Sequence, residues 1–236
     1  MEKLSLDKMA LELERTQAYI QIQNLIGRYE ALHSASRQAE TCELFAKKTP
    51  GGKLVFNGHI YKGYEGVELH YKGFMADAEQ DLTGKIYAHE VMTPVIEVAG
   101  DAQSAKATFA TFGFETGTKA DGSRLSTWTY GRYAVDFIKE DGKWVIYNMD
   151  FHTYFNTPFD GPGWGEKPDV PMPEFFAGEP ELLAYVPVHH GDVKEPYKPM
   201  ARDTADFDIH NMRPAPPLPY EAWDYINDPW VVEEKE

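Results

Sequence analysis

The spacing of apolar residues along this chain changes twice, and the changes divide it into three parts. From Ser5 to Lys47, Leu6, Met9, Leu13, Ile20, Leu25, Ile26, Tyr29, Leu32, Leu44 and Phe45 recur mostly at three- and four-residue steps, the spacing of one helix face. The segment exceeds an ordinary helix. Gly27 and the polar run Ser34, Ala35, Ser36 therefore predict a bend or break, and two or three consecutive helices. Thr49, Pro50, Gly51 and Gly52 end this region. KLVFNGHIYKG then alternates as a short hairpin turning at Asn57 and Gly58. Glu65 to Ala78, with Val67, Leu69, Tyr71, Phe74 and Met75 as apolar members, predicts a short helix.

From Tyr87 to Phe155 the period becomes two. KIYAHEVMTPVIEVAG, SAKATFATFGFETG and STWTYGRYAVDFIKEDGKWVIYNMDFHTYF are rich in β-branched and aromatic residues and are divided by Gly-Asp and Asp-Gly turn signals. They predict a three-strand antiparallel meander. Alternation puts His89 on one face with Tyr87, Val91 and Thr93, and puts Asp150 and His152 on one face with Asn148. A curved sheet would gather such groups into a pocket wall. Arg132 and Asp136 read as an exposed pair of small energetic weight, and His59 and His70 as surface residues.

Beyond Phe155 the pattern is lost, since every proline except Pro50 and Pro94 falls at Pro158 or later. That density predicts no regular core element. The stretch nevertheless keeps Trp164, Phe175, Phe176, Tyr185, Tyr197, Tyr220, Trp223, Tyr225 and Trp230, a content foreign to disordered chains. The expectation is a domain over residues 1–157 and, over residues 158–236, an extended arm packed on it or on a neighbouring subunit.

Composition narrows the function. A net charge of -15 argues against nucleic acid and anionic membrane surfaces, which need clustered Lys and Arg. Cys42 is the single cysteine and reads as a buried structural thiol, leaving no internal disulfide and no thiolate metal cluster. The charged N-terminal stretch lacks the apolar core of a signal peptide, and no run reaches membrane-spanning length, so a cytoplasmic setting is expected. There is no G-x-G-x-x-G, P-loop or G-x-S-x-G pattern, which leaves nucleotide cofactors and serine hydrolysis without support. His33, His89 and His152, or the adjacent His189 and His190, could be imagined around a metal, yet no HxH or HExxH spacing supports one. No metal and no cofactor are expected.

Several phrases in unbroken order carry a family resemblance: LIGRYEALHSA with ETCELFA, YKGYEGVELHYKGF, HEVMTPVIEVAGDAQSAKATF and GRYAVDFIKEDGKWVI. The chain resembles the SnoaL-like branch of the nuclear transport factor 2 (NTF2-like) superfamily over its first two thirds. The resemblance implies an α+β fold in which a cone-shaped, curved antiparallel sheet wraps N-terminal helices, here with a long Pro-rich C-terminal arm. It also implies a dimer or trimer. Activities in the superfamily include dehydratases, polyketide cyclases, ketosteroid isomerase and lyases that release formaldehyde from lignin-derived aromatic dimers, beside non-catalytic transport and scaffold proteins, so fold underdetermines function. The dehydratase pattern of tyrosine, aspartate and histidine falls on Tyr29, Ser34 and His89, with His33 beside the substituted aspartate position.

An elimination needs a group that takes a proton and another that assists the departing oxygen. His89 suits the first task, because imidazole titrates near neutrality, with Asp150 or His152 to orient it or relay protons. Tyr29 and His33, with Tyr61 or Tyr133, would donate hydrogen bonds, and Trp128 and Tyr130 would form flat walls suited to an aromatic or polycyclic substrate. The leading reading is a lyase that removes water or formaldehyde. An isomerase or cyclase would need a buried carboxylate base, with Asp150 leading. A binding or assembly module without chemistry is the third reading.

Overall fold

The computed structural model describes residues 5–56, 59–75, 82–161, 163, 170, 172–187 and 214–227. The predicted turn at Asn57 and Gly58, the end of the predicted helix at Ala78, the pair His189 and His190, and the aromatics Trp164, Tyr197 and Trp230 lie outside the described residues.

Helix α1 (Leu6–Ser34) is continuous, capped by Ser5, whose Oγ accepts from the Lys8 amide at 3.2 Å. It passes through Gly27 without a break and stops where Ser36 takes a left-handed φ of 56°. Only Ala18, Ile22, Ile26, Tyr29 and His33 are buried, at steps of four, four, three and four, while Leu6, Met9 and Leu13 are exposed. The stripe that docks the helix thus belongs to its second half. Helix α2 (Gln38–Cys42) follows, giving two helices before the sheet.

The sheet has six strands: β1 (Lys53–Phe56), β2 (His59–Lys62), β3 (Tyr87–Val98), β4 (Ser104–Thr118), β5 (Arg124–Glu140) and β6 (Lys143–Pro158), in the order β2-β1-β6-β5-β4-β3. The meander has four strands where three were predicted, because the third segment reverses at Asp141 and Gly142, both at positive φ. The sheet is not purely antiparallel either: β1 runs parallel to β6, from Lys53 opposite Asn148 to Phe56 opposite Phe151. The β5–β6 register slips at Tyr130/Gly131 and Asp136/Phe137, and that of β3–β4 at Met92/Val95, beside Pro94. Such bulges bend a sheet, and here its hollow face closes on α1. Tyr29, Ile22 and Ile26 pack there against Phe109, Tyr133, Val135, Phe137, Met149 and Phe151.

Helix α3 (Gly63–Glu68) widens into a π-helical turn (Leu69–Phe74) that buries His70, Tyr71 and Phe74. His70 is therefore a core residue, not the expected surface one. Asp136 is buried as well, accepting from Asn148 Nδ2 at 2.9 Å and Lys106 Nζ at 3.4 Å, so the expected exposed pair with Arg132 gives way to a buried polar cluster on the outer face. No described helix is long and apolar enough to cross a membrane.

The described residues of the proline-rich stretch include regular elements that its composition does not predict. Helix α4 (Met172–Phe175) and a 3-10 turn (Pro180–Tyr185) bring Val170, Phe175, Phe176 and Leu182 against Phe74 and Leu125, a second apolar core. It is pinned to β4 by Gly178, whose amide donates to the Thr118 carbonyl at 2.7 Å, and by Glu179, which accepts from Thr118 Oγ1 at 2.8 Å and pairs with the buried Lys85. Residues 214–227 lie across the outer face instead. There the Gly100 amide donates to the Tyr220 carbonyl, Tyr147 Oη donates to the Tyr225 carbonyl, and Lys106 sits 3.5 Å above the Trp223 ring.

Curvature depends on a glycine at the β5 bend, where a Cβ on Gly131 would stand 2.1 Å from the His152 carbonyl oxygen. Gly131→Ala is expected to lower unfolding free energy by about 2 kcal/mol or more, read from the urea midpoint; an unchanged midpoint would show that the strands do not approach this closely.

Candidate active site

The hollow face of the sheet does not close fully on α1. A cavity of about 380 Å³ remains between them, roofed by the π-helical turn and by α4. One side is largely apolar, formed by Phe56, Phe74, Met172, Phe175 and Phe176, while Phe151 lies against both His89 and Tyr133. The other gathers Tyr29, His33, Tyr71, His89, Glu115 and Tyr133. This division fits a ring-bearing molecule with polar substituents at one end.

His89 on β3 and Glu115 on β4 form an imidazole–carboxyl pair, with His89 Nε2 3.1 Å from Glu115 Oε1. The second carboxylate oxygen of Glu115 accepts from Asn156 Nδ2 on β6. Nδ1 of His89 is buried without a partner among the described residues, and a Cβ placed on Gly113 would lie 2.7 Å from it. The imidazole is thus walled in on one edge and engaged by carboxylate on the other.

Facing this pair are three phenols. Tyr71 Oη donates to Tyr29 Oη at 2.9 Å, and Tyr133 reaches the same oxygen. Burial pushes the Tyr29 hydroxyl up to about 12, with the contacts from Tyr71 and Tyr133 working in the opposite direction. Burial raises Tyr71 and Tyr133 as well. All three remain protonated at neutral pH, and because Tyr29 accepts from its neighbour its own proton is left to donate.

His33 lies beside them, its ring 5.7 Å from that of Tyr29 and 6.0 Å from that of His89, nearly parallel to both. Its Nδ1 is 3.2 Å from Gln38 Oε1. Burial first, and then the charge of His89, lowers its pKa to about 4, so the ring is neutral at pH 7. His70 is driven down to about 3 by burial and sits among Phe56, Tyr61, Tyr71 and Phe74. His59, expected on the surface, is half-buried at the cavity rim with Nδ1 3.1 Å from the Pro187 carbonyl oxygen.

Of the residues singled out by sequence, Tyr29, His33, His89 and Tyr133 come together in the cavity. Six others do not line it. Phe151 and Thr153 face the cavity, so alternation turns Asp150 and His152 to the opposite face of β6. Trp128 and Tyr130 likewise sit opposite Tyr133, Trp128 among Phe112, Phe114 and Phe159, and Tyr130 against Tyr154 and Phe155. Tyr61 lies behind His70, and the Ser34 hydroxyl donates to Glu30 Oε1 at 2.6 Å. Sequence reasoning missed Glu115, Tyr71 and Asn156. Glu115 was within reach, since it stands opposite Tyr87 in the β3–β4 register and so shares the face of His89. Among the described residues no group of three or more His, Cys, Asp or Glu side chains is placed to hold a metal ion.

The sequence matches the profile of the SnoaL-like domain over residues 14–150. No curated protein matches it. Among solved structures, hexachlorocyclohexane dehydrochlorinase LinA-type3 from Novosphingobium barchaimii LL02 is 16% identical, with a TM-score of 0.52 over 68% of this chain and 99% of its own. LinA is similar at 15% identity and a TM-score of 0.52, over 64% of this chain and 95% of its own. At these identities the likeness speaks for the fold.

Asp150 gives the outer face a measurable signature. Burial alone raises its carboxyl to about 8, and Oδ2 has no partner among the described residues. Below about pH 4 both folded and unfolded chains carry the proton and there is no penalty; between there and pH 8 only the unfolded chain ionises, so stability falls as pH rises. Asp150→Asn is expected to raise the unfolding free energy at pH 8 by on the order of a few kcal/mol, read as a higher melting temperature, and to lose that advantage near pH 4. An advantage independent of pH would show that Asp150 is ionised in the folded chain.

Proposed function

This chain belongs to the SnoaL-like domain family, and on that premise we propose that it is a lyase acting on a hydroxylated aromatic or polycyclic small molecule, releasing water or formaldehyde. One observation carries the reading: a carboxylate–imidazole pair and a polarised phenol line one largely apolar cavity. The first can accept a proton, the second can give one, and the Tyr29 and His89 side chains are themselves buried.

Proton acceptance is assigned to the His89–Glu115 pair rather than to the imidazole alone, because Nδ1 of His89 is sealed while Glu115 lines the cavity. For loss of water, the pair takes a proton from carbon, the new carbon–carbon double bond forms, and the carbon–oxygen bond breaks as Tyr29 protonates the departing hydroxyl. For loss of formaldehyde, the pair takes the proton of a primary alcohol and the adjacent carbon–carbon bond breaks to release the aldehyde. Its electrons expel a benzylic hydroxyl, which leaves as water with the proton of Tyr29. Both steps balance with the side chains present. That a protein of this fold is named a dehydrochlorinase supports elimination as chemistry the scaffold can host.

The isomerase or cyclase reading loses Asp150 as its base, since that residue faces away from the cavity, but Glu115 supplies a carboxylate inside. Product mass separates the two. The purified chain, incubated with phenolic diols, hydroxylated polycyclic alcohols and β,γ-unsaturated ketones, is expected to yield products lighter by water alone, or by formaldehyde and water together. Products of unchanged mass would favour the isomerase. Glu115→Gln and His89→Ala are each expected to reduce turnover about 10²- to 10⁴-fold, and Tyr29→Phe about 10²-fold, without loss of fold. Full turnover in the first two variants would remove the pair from the mechanism.

A further inference from the structure

The resemblance treats His33 as a donor standing in for a missing aspartate, but its hydrogen bonds make it the opposite. Gln38 is buried, and its Nε2 donates to the His33 carbonyl oxygen at 3.4 Å. A carbonyl can only accept, so this contact fixes which end of the amide is nitrogen, and Oε1 is the end that meets His33 Nδ1 at 3.2 Å. Because Oε1 can only accept, Nδ1 must carry the proton. The neutral ring has one proton to place, and Nε2 is left as a bare lone pair. No described residue takes up that lone pair, and the ring lines the cavity. His89 stacks on His33 with planes 13° apart, a geometry that brings faces rather than ring nitrogens together.

The Tyr29 hydroxyl, on the same face of α1 one turn earlier, is the complementary partner. It accepts from Tyr71 and keeps its own proton for the cavity. A donor and an acceptor therefore stand side by side on rings 5.7 Å apart.

We propose that Tyr29 and His33 form a hydroxyl-specific subsite, taking an alcohol or phenol that accepts from Tyr29 and donates to His33 Nε2, with Gln38 as the positioning residue that sets the tautomer. The proposal deepens the reading of this cavity as a substrate site. A ketone, ether or halide satisfies only half of the subsite, and leaves a buried acceptor unpaired. Sites built around a substrate hydroxyl reject analogues lacking it far more strongly than apolar pockets reject an added one. The group admitted here is thus an O–H, which matches a departing or retained hydroxyl and not a chloride.

Equilibrium binding of naphthol, fluoronaphthalene and methoxynaphthalene to the full chain tests this without turnover. Naphthol is expected to bind about ten- to a hundredfold more tightly than the other two, the effect of one buried unpaired acceptor. His33→Phe, which keeps a flat ring and deletes the lone pair, is expected to bring the three within about threefold of one another. Should that variant not fold, nitrogen NMR of the unsubstituted protein decides: His33 Nδ1 should be protonated and Nε2 bare at neutral pH, and Gln38→Leu should allow the other tautomer. Equal binding of the three probes, or a protonated Nε2, overturns the subsite. Hydroxyl preference without any elimination product would instead sink the lyase reading and leave the subsite standing.

Discussion

The structure depends on one constraint: a single sheet must bury the second half of α1 at one end of its hollow face and stay open at the other. A flat sheet would do neither. The bulges on the β5–β6 ladder and at Pro94 supply the bend, and Gly131 lets β5 and β6 approach closely at one of them. Because the bend sets which side chains converge, the catalytic candidates follow from it: His89, Glu115, Tyr133 and Asn156 come from four strands, and only a concave surface aims them at one volume.

The same enclosure decides the charge of everything within. Water is scarce, so groups that could be either charged or neutral are held neutral: His33 and His70 lose their protons and the three phenols keep theirs. Against this background the His89–Glu115 contact stands apart in its geometry, since both oxygens of Glu115 have hydrogen-bonding partners, His89 on one and Asn156 on the other. A neutral, hydrogen-bonding wall opposite one proton-accepting pair is an arrangement for moving a proton without admitting bulk solvent.

Much of this was legible in the residues themselves. The period of three to four located α1, the period of two located the strands, and four of the residues singled out as candidates, Tyr29, His33, His89 and Tyr133, line the cavity. The failures have specific causes. Asp150, His152, Trp128 and Tyr130 share residue types with a pocket lining, but type does not reveal which of two strand faces points inward. That requires knowing that Phe151 and Tyr133 are the inner residues. His70 was misplaced because its residue type was read as a surface one, although it stands three residues after Val67 and four before Phe74, on the buried face of the same element. The parallel pairing of β1 with β6 joins segments ninety or so residues apart, which no local pattern encodes.

The family match ends at residue 150, whereas Met172, Phe175 and Phe176, which close the apolar side of the cavity, come after it. Part of the wall that shapes the cavity is thus written outside the stretch that carries its proton-handling residues. Insertions, losses or exchanges beyond β6 could reshape what the cavity admits while the proton-handling residues upstream stay untouched, so a protein of this plan could acquire new substrates by revising its last third alone.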